Sequence, residues 1–347
     1  MAHEVRLEPV GIEMEVEEDE TVLEAAFRQG IMLMHGCKEG QCSACKSILI
    51  EGDAEHESYS TFALSDQEKD DENLVLLCRL YAYSDLEVEL LNYDEDTLTS
   101  WIPAKKFNGT VAAITELTHD IRQIDIDLDG DLTFRAGQYV DITIPGANVT
   151  RSYSMANAPS SPNKLSFIIK IYPDGQFSSL LADTLGVGDE VEINGPFGMS
   201  FRNEKHDGPM LLVGGGSGMA PLWSILNDLV DNNIQKPVRF YYGARAKRDL
   251  FFEQEIAALG EKLDDFEFIP ALSEQEDGDD WNGATGFIHE VVAERHTGPN
   301  ADDSMESYAC GPPAMCDAVL PVFQAAFIDA DNIHLDKFTP AAEVSGH

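Results

Sequence analysis

Four cysteines are the residues of this 347-residue chain whose spacing most directly indicates chemistry. Cys37, Cys42 and Cys45 lie in the stretch HGCKEGQCSACKS, separated by four and then two residues, and Cys78 is the next cysteine along the chain. Three thiols this close in a loop are oxidised to disulfides, bound to a metal, or reactive. The glycines between them allow tight turns that aim backbone N–H groups at sulfur.

The surroundings of these cysteines favour metal binding. The acidic amino-terminal stretch MAHEVRLEPVGIEMEVEEDE has no apolar signal-peptide core, so we expect a cytoplasmic protein, in which stable disulfides are rare. A C-x4-C-x2-C run with one distant fourth cysteine is the spacing of plant-type [2Fe–2S] sites. Zinc is the competing interpretation, but structural zinc usually takes two ligand pairs, and Cys78 has no cysteine nearby. We therefore predict that Cys37, Cys42, Cys45 and Cys78 hold a [2Fe–2S] cluster.

Local signals predict a small α+β domain over residues 1–98. TVLEAAFRQG reads as a helix with a capping box from Thr21 to Glu24, and Ser65 to Glu68 offers a second capping box. The runs SILIEGD and LEVELLNY alternate as strands do. Together with the cysteine motif, this quarter of the chain resembles the plant-type ferredoxin family. The resemblance implies a cluster that passes one electron at a time at low potential, roughly −400 mV.

Composition excludes two classes of partner. The chain carries 63 acidic against 23 basic residues, a formal charge of −40, which repels nucleic-acid backbones and anionic lipid. No apolar run approaches the length of a transmembrane helix. We therefore expect no nucleic-acid or membrane partner. The charge favours a protein partner with a basic docking patch, although solubility or adaptation to high salt would produce the same excess.

The pattern changes after the first domain. Residues 99–106 read as a polar linker. Residues 107–206 contain short alternating runs separated by turn residues, among them GTVAAITEL, GQYVDITI and KLSFIIKIY. Many short strands at this spacing predict an antiparallel β-barrel.

The stretch RSYSMAN in this region carries polar residues with binding potential. Along a strand, Arg151 and Tyr153 share one face while Ser152 and Ser154 share the other. An arginine fork suits a pyrophosphate, a tyrosine face suits stacking on a flat ring, and a serine hydroxyl can hydrogen-bond a ring nitrogen. Taken alone, the tetrapeptide is equally compatible with a polar edge strand.

A glycine turn follows in YPDGQFSSLLADTL. Gly175 turns the chain, and Ser178 or Ser179 is positioned to cap the next helix. A helix amino terminus can bind phosphate, although an ordinary capped helix explains the same residues.

The barrel, the R-x-Y-S strand and the Gly-x-x-Ser turn occur in the order found in the ferredoxin–NADP reductase superfamily, which this chain resembles. The resemblance implies bound FAD. It places Arg151 on the pyrophosphate, Tyr153 against the isoalloxazine ring and Ser154 near the reactive ring nitrogen. Ser152 belongs to the same predicted binding strand, and Gly175 and Ser178 would hold the pyrophosphate from the other side.

Residues 207–347 alternate strand and helix patterns, which predicts a parallel, doubly wound α/β sheet. The first strand, PMLLVGG, leads into a loop in which Gly215, Gly216 and Gly218 would let N–H groups approach a dinucleotide pyrophosphate. The loop departs from G-x-G-x-x-G and by itself also fits a flexible segment, but Pro221 is typical of a helix start. The loop is similar to the nicotinamide-dinucleotide loop of the same superfamily.

The stretches YACGPPAM and LDKFTP complete the predicted binding residues. The resemblance places Cys310, Gly311 and Pro312 against the nicotinamide, at the carboxyl end of a strand where open α/β sheets bind ligands. It places Phe338 beside the flavin. Taken alone, Cys310 fits a small buried residue and Phe338 a core phenylalanine. Pro321 should bend or split the last predicted helix.

The choice of nicotinamide cofactor depends on the stretch GARAKRDLFF. Arg245, Lys247 and Arg248 would suit the extra phosphate of NADPH, whereas Asp249 suits the free ribose hydroxyl of NADH. The branch of the superfamily that the chain most resembles uses NADH, which we therefore expect here.

The three predicted domains make sense together as a route for electrons. A nicotinamide donates two electrons as hydride and a cluster accepts one, so a flavin must stand between them. Such chemistry needs positioned cofactors rather than an acid–base pair or a nucleophile, and we assign no catalytic side chain.

From end to end the chain resembles the reductase components of multicomponent oxygenases. HGCKEGQCSACKS, LLNYDED and RSYSMANAPS are most similar to the reductases of soluble di-iron monooxygenases, of the propane and alkene types and, a little further off, the methane type. The implied function is electron transfer from NADH through FAD and the cluster to a separate di-iron hydroxylase. The alternatives are the reductase of an aromatic-ring dioxygenase with a Rieske acceptor, a non-enzymatic iron–sulfur carrier, and a redox sensor with exposed thiols.

Overall fold

Two compact units, Met1–Lys105 and Lys106–His347, make up the chain in its computed structural model. The structure describes residues 2–93, 98, 102–147, 149–172, 175–275, 278 and 280–338. The predicted linker falls partly outside these residues, and its last residues, Lys105 and Lys106, already belong to a strand. The predicted domain boundaries stay predictions.

The first unit is the α+β fold that its local signals predict. Its main sheet has the order β2-β1-β7-β3-β5, and β4 pairs with β6 in a separate two-stranded sheet. The elements are β1 (His3–Glu8), β2 (Ile12–Val16), α1 (Val22–Arg28), β3 (Lys46–Glu51), β4 (Ala54–His56), α2 (Asp66–Glu72), β5 (Leu74–Leu76), a 3₁₀ helix (Leu77–Arg79), β6 (Leu80–Ala82) and β7 (Leu86–Leu90).

Both predicted capping boxes are present. The Glu24 N–H donates to the Thr21 hydroxyl (3.2 Å), and the Thr21 N–H donates back to the Glu24 carboxylate (2.8 Å). Ser65 and Glu68 repeat the arrangement at the start of α2. These bonds satisfy N–H groups that a helix start leaves without partners, which is why both helices begin where the sequence predicts.

An antiparallel six-stranded sheet opens the second unit, with the order β11-β10-β13-β8-β9-β12. An isolated bridge from Met155 to Phe167 links the two edges, so the sheet curls into the predicted barrel. Leu165, Phe167 and Ile193 belong to its buried core. The elements are β8 (Lys105–Glu116), β9 (Ile121–Leu128), β10 (Tyr139–Ile144), β11 (Val149–Ser154), β12 (Lys164–Lys170), α3 (Gln176–Asp183) and β13 (Glu190–Phe197).

A parallel six-stranded sheet follows, with the order β17-β16-β15-β14-β18-β19. The strand order reverses at β14, which makes the crevice beyond β14 and β18 a topological switch point. The elements are β14 (Met210–Gly215), α4 (Met219–Asp231), β15 (Val238–Ala244), α5 (Glu253–Gly260), β16 (Phe266–Leu272), β17 (Ala284–Thr285), α6 (Ile288–His296), β18 (Glu306–Gly311), α7 (Pro313–Ala325) and β19 (Ile333–Lys337).

Of the two outcomes expected at Pro321, bending or splitting of the last helix, the structure excludes splitting. Pro321 lies within α7, which runs unbroken from Pro313 to Ala325. Val319 and Phe323, on either side of the proline, are fully buried. Burial of this apolar face offsets the hydrogen bond that proline cannot donate.

The barrel and the parallel sheet share one hydrophobic core. Ile121 and Ile168 of the barrel pack in the same cluster as Leu222 and Phe240 of the parallel-sheet region. The hydroxyl of Tyr308 on β18 also accepts a hydrogen bond from the N–H of Asn203, just after the barrel (3.0 Å).

Among the described helices, none is long and apolar enough to span a bilayer.

Candidate functional site

Strand pairing brings the fourth cysteine to the other three. Cys37, Cys42 and Cys45 lie on the loop between α1 and β3. β3 and β5 pair antiparallel, and the N–H of Leu77 donates to the carbonyl of Cys45 (3.2 Å). Because Cys78 lies in the 3₁₀ helix directly after β5, this pairing places it beside Cys45.

Backbone N–H groups of the loop point at sulfur. The N–H of Cys37 donates to Sγ of Cys42 (3.2 Å), while those of Glu39 and Gln41 donate to Sγ of Cys37 (3.4 and 3.2 Å). Such a concave set of N–H groups stabilises negative charge on sulfur, and thiolate is the form in which cysteine binds metal.

The four sulfurs are arranged as two pairs. A hydrogen bond from the Cys37 thiol lowers the pKa of the Cys42 thiol to about 6, and Cys78 likewise lowers the pKa of the Cys45 thiol. No three of these four described sulfurs lie within 4.8 Å of one another. A single zinc ion, with Zn–S bonds of about 2.3 Å, would draw all four closer together than that. Two pairs instead suit two bridged irons that each take two thiolates.

The predicted flavin strand is β11, and helix α3 packs beside it. Ser152 lies opposite Asp141 of β10 and donates to its carboxylate (2.6 Å), so the Ser152 hydroxyl is already engaged. The Tyr153 ring packs against Phe177 of α3, with ring centroids 5.0 Å apart. Burial raises the pKa of the Tyr153 phenol, which keeps the ring neutral. Half-buried Arg151 alternates with Ser152 along the strand, as predicted.

The expected cap of α3 is wrong. The residue before the helix is Gly175, in an extended conformation, whereas Ser178 and Ser179 already belong to the helix. The Ser178 hydroxyl instead accepts from the N–H of Tyr172 (3.1 Å) and closes the turn. No described side chain caps the helix, so its amino terminus is of the kind that binds phosphate. The contact of Gly175 and Ser178 with a pyrophosphate stays a prediction.

A cavity of about 370 Å³ lies at the carboxyl ends of β14 and β18. Four of the predicted residues line it: Gly215, Gly216, Pro312 and Phe338. The Tyr242 hydroxyl holds the glycine loop by donating to the carbonyl of Gly216 (2.9 Å). This is the crevice in which open α/β sheets bind ligands.

The other three predicted nicotinamide residues do not line the cavity. A Cβ on Gly218 would lie 2.0 Å from the carbonyl oxygen of Cys310, so glycine is required for the loop to pack on β18. Cys310 is fully buried, and burial raises the pKa of its thiol well above the usual range. Gly311 has a φ of +141° and accepts through its carbonyl from the N–H of Phe338 (2.9 Å). The contact of these three residues with a nicotinamide stays a prediction.

The barrel contributes cavity residues that the sequence analysis missed. Asp120, Lys170 and Tyr172 all line the cavity. The ammonium of Lys170 pairs with the carboxylate of Asp120 (2.8 Å), and Arg245 lies 3.9 Å from the same carboxylate. The sequence gives no indication that these residues line the cavity, because they reach it only through the packing of the barrel against the parallel sheet.

Asp249 also lines the cavity, whereas Lys247 and Arg248 do not. One carboxylate oxygen of Asp249 accepts from the N–H of Ala246 (3.0 Å). The other is buried without a hydrogen bond among the described residues and lies 3.5 Å from Nδ1 of His119. A carboxylate that lines a cavity and has an oxygen without a described hydrogen bond suits a ligand hydroxyl.

Asp336 is a further residue that the sequence analysis missed. Its carboxylate accepts a hydrogen bond from the hydroxyl of Ser154 (3.3 Å), a residue predicted to lie near the flavin ring. Burial raises the pKa of the Asp336 carboxyl to about 6, against the opposing effect of the Ser154 hydrogen bond. The sequence signal that could have indicated Asp336 is its position two residues before Phe338, which was predicted to lie beside the flavin.

Three domain families match successive parts of the chain. Residues 5–83 match the 2Fe-2S iron-sulfur cluster binding domain, residues 108–201 the oxidoreductase FAD-binding domain and residues 212–320 the oxidoreductase NAD-binding domain. The first match includes all four cysteines and removes zinc as an alternative. The fold and sites thus define an NADH-dependent oxidoreductase that uses FAD and a [2Fe–2S] cluster.

Full-length relatives narrow this class. The propane 2-monooxygenase reductase component of Gordonia sp. (strain TY-5) is 48% identical over 98% of both chains. The phenol 2-monooxygenase reductase component of Pseudomonas sp. (strain CF600) is 33% identical over 100% of this chain and 97% of its own. The Amycolatopsis cytochrome P450 reductase GcoB superposes with a TM-score of 0.89 at 30% identity, covering 98% of this chain and 100% of its own.

The chain belongs to the family of reductase components of multicomponent oxygenases. The predicted fold class, cofactors and general function are therefore confirmed, and the carrier-only alternative is wrong.

We predict that replacing any of Cys37, Cys42, Cys45 or Cys78 by serine removes the cluster, because one of the two irons then loses a thiolate ligand. Iron and sulfide, expected at about two of each per chain, should fall together while FAD is retained. Cys316→Ser, which changes a buried cysteine of α7, is the control and should keep the full iron content. A cysteine variant with unchanged iron and sulfide would contradict the ligand assignment.

We predict a pH-dependent stability difference for Asp336→Asn. The raised pKa means that the folded wild-type chain holds a proton which the unfolded chain releases, so wild-type stability falls as pH rises from about 4 through 6. Relative to the variant, the wild type should lose about 1 kcal/mol between pH 5 and 7.5, measured by urea unfolding. Asp331→Asn, an exposed carboxylate before β19, is the control. If the difference in free energy of unfolding between wild type and Asp336→Asn does not change with pH, the raised pKa of Asp336 is refuted.

Proposed function

We propose that this chain transfers electrons from NADH through FAD to a cluster held by Cys37, Cys42, Cys45 and Cys78, and from there to a di-iron hydroxylase. The observation that carries the proposal is the combination, on one chain, of two sulfur pairs suited to two irons with a cavity lined by both the flavin barrel and the nicotinamide sheet. We expect this to take place in the cytoplasm, in line with six described cysteines that form no disulfide.

On the nicotinamide side, the residues of the cavity bind and orient the dinucleotide. The loop at Gly215 and Gly216 presents backbone N–H groups to the pyrophosphate, and Lys170 and Arg245 supply positive charge at the same cavity. Pro312 and Phe338 form apolar wall at the nicotinamide end. Such positioning, rather than side-chain chemistry, is what hydride transfer needs from the protein.

On the flavin side, β11 and α3 hold the cofactor. Arg151 and the open amino terminus of α3 suit the pyrophosphate, and Tyr153 offers an aromatic face braced by Phe177. Ser154 and Asp336 form a hydrogen-bonded pair that can hold a proton near the reactive ring nitrogen. Bound FAD supplies the conversion between a two-electron donor and a one-electron acceptor.

The di-iron acceptor is supported by graded similarity. Four propane 2-monooxygenase reductase components are 45–48% identical to this chain over nearly its whole length. Identity to the reductase of a phenol 2-monooxygenase is 33%, and to that of an aromatic O-demethylase 31%. Reductases that serve different acceptors differ in the surface that recognises the acceptor. The higher identity to propane 2-monooxygenase reductases therefore favours a propane-type hydroxylase as the acceptor.

We predict that Asp249 selects NADH over NADPH. Asp249 lines the cavity and has one carboxylate oxygen without a described hydrogen bond, which suits the adenosine ribose hydroxyl, while its charge repels a phosphate at the same place. Asp249→Asn should raise the ratio of kcat/KM for NADPH to that for NADH by about tenfold, equivalent to about 1.4 kcal/mol. Asp265→Asn, at the amino end of β16 away from the cavity, should leave the ratio unchanged. An unchanged ratio in Asp249→Asn would show that selection lies elsewhere.

The proposed route is tested by anaerobic NADH titration followed by mixing with the purified cognate di-iron hydroxylase. NADH should bleach the flavin and cluster absorption, and the hydroxylase should then reoxidise the cluster. Because the chain is strongly acidic, the second-order rate of this step should fall severalfold as ionic strength rises from 0.05 to about 0.5 M. The rate of bleaching by NADH is the internal control. Transfer only to a Rieske protein would refute the di-iron acceptor, and a salt-independent rate would refute electrostatic docking.

A further inference from the structure

Phe62 is the most exposed large apolar side chain in the described part of the chain. Its side chain is 96% exposed, while the two residues that follow, Ala63 and Leu64, are fully buried. The N–H groups of both Ala63 and Leu64 donate to the carbonyl of Ser60 (2.9 and 3.2 Å), and the Phe62 N–H donates to the Ser60 hydroxyl (3.2 Å). A tight turn anchored on its buried side therefore holds this phenylalanine outward.

The turn that carries Phe62 is built onto the cysteine loop. The Ser43 hydroxyl donates to the carbonyl of Ala63 (2.9 Å), and the N–H of Ser60 donates to the carbonyl of Gly40 (2.9 Å). Ser43 directly follows Cys42, the one exposed cysteine of the four. Phe62 thus stands at the edge where the sulfur site comes closest to solvent.

The surface around Phe62 is acidic. α2 begins four residues later with the sequence DQEKDDE, and its Asp66 and Asp70 are exposed. Residues 1–93 contain 22 acidic and six basic residues. A second copy of this chain would bring a charge of −40 against the same face, whereas a partner with basic groups around an apolar socket would complement it.

We propose that Phe62, on the turn that is hydrogen-bonded to the cysteine loop and followed by α2, is the anchor on which the oxygenase component docks to receive electrons. This rests on the proposed function. An aromatic side chain presented by a rigid turn loses little freedom on binding, and one that is buried at the centre of an interface carries a large share of its affinity. Docking at this edge also brings the acceptor to the most exposed side of the cluster site.

Phe62→Ala tests the proposal in the full-length, cofactor-loaded protein. The variant is first reduced with NADH under anaerobic conditions and then mixed with the cognate di-iron hydroxylase. We expect the second-order rate of cluster reoxidation to fall about tenfold or more, as for a central aromatic anchor. The rate at which NADH bleaches the cluster should stay within about twofold of wild type, since that step needs no partner. Phe62→Trp should restore most of the lost rate.

Tyr83→Ala is the matched control, because Tyr83 is an exposed aromatic residue of the same unit. It lies beside Asp53, at the end of the β4–β6 pair away from Cys78. It should transfer electrons as wild type does. A normal transfer rate in Phe62→Ala, equal slowing in Tyr83→Ala, or slowed bleaching by NADH in Phe62→Ala would each overturn the docking role. A wild-type chain that does not reduce the hydroxylase would instead refute the proposed acceptor and, with it, this site.

Discussion

The first unit depends on holding four sulfur atoms close together although each must carry negative charge to bind iron. The loop after α1 meets this demand with backbone N–H groups aimed at Cys37 and Cys42, and strand pairing of β3 with β5 delivers Cys78 to Cys45. The pairing depends on burial of Leu76 and Leu77, so the hydrophobic core of the unit also sets the geometry of the sulfur pairs. Cys45 and Cys78 are buried, whereas Cys42 is exposed, so the sulfur site is most accessible to solvent on the Cys42 side.

A comparable demand for close approach shapes the nicotinamide end. There the backbone, rather than sulfur, must come near a ligand, and the glycine loop packs so tightly on β18 that a Cβ at Gly218 would overlap the carbonyl of Cys310. Three of the predicted residues, Gly218, Cys310 and Gly311, lie outside the lining of the cavity, and their contact with a nicotinamide stays a prediction. The barrel contributes Asp120, Lys170 and Tyr172 to the same cavity, so neither the barrel nor the sheet forms this site alone.

Features with a local cause were predictable from the sequence. Two capping boxes placed α1 and α2, the cysteine spacing indicated the cluster, and alternating patterns separated barrel from parallel sheet. The errors arose where tertiary packing decides. The residue before α3 is Gly175 rather than a serine, because the Ser178 hydroxyl is hydrogen-bonded to the backbone of the preceding turn. Helix α7 continues through Pro321 because its apolar face is buried. Asp336 was missed for the same reason, since its meeting with Ser154 joins residues far apart in sequence.

The protein has a net charge of −40 and yet binds two anionic dinucleotides, which its overall charge repels. Its few basic residues cannot neutralise the surface, but a cavity responds mainly to groups within a screening length of about 10 Å. Lys170, Arg245 and the N–H groups of the glycine loop lie at the nicotinamide cavity, and Arg151 lies on the flavin strand. Asp120 and Asp249 line the same nicotinamide cavity, so its charged groups balance, and a neutral cavity is compatible with a repulsive exterior. The same exterior discourages contact with other acidic proteins, which leaves a basic acceptor surface as the partner that this charge distribution favours.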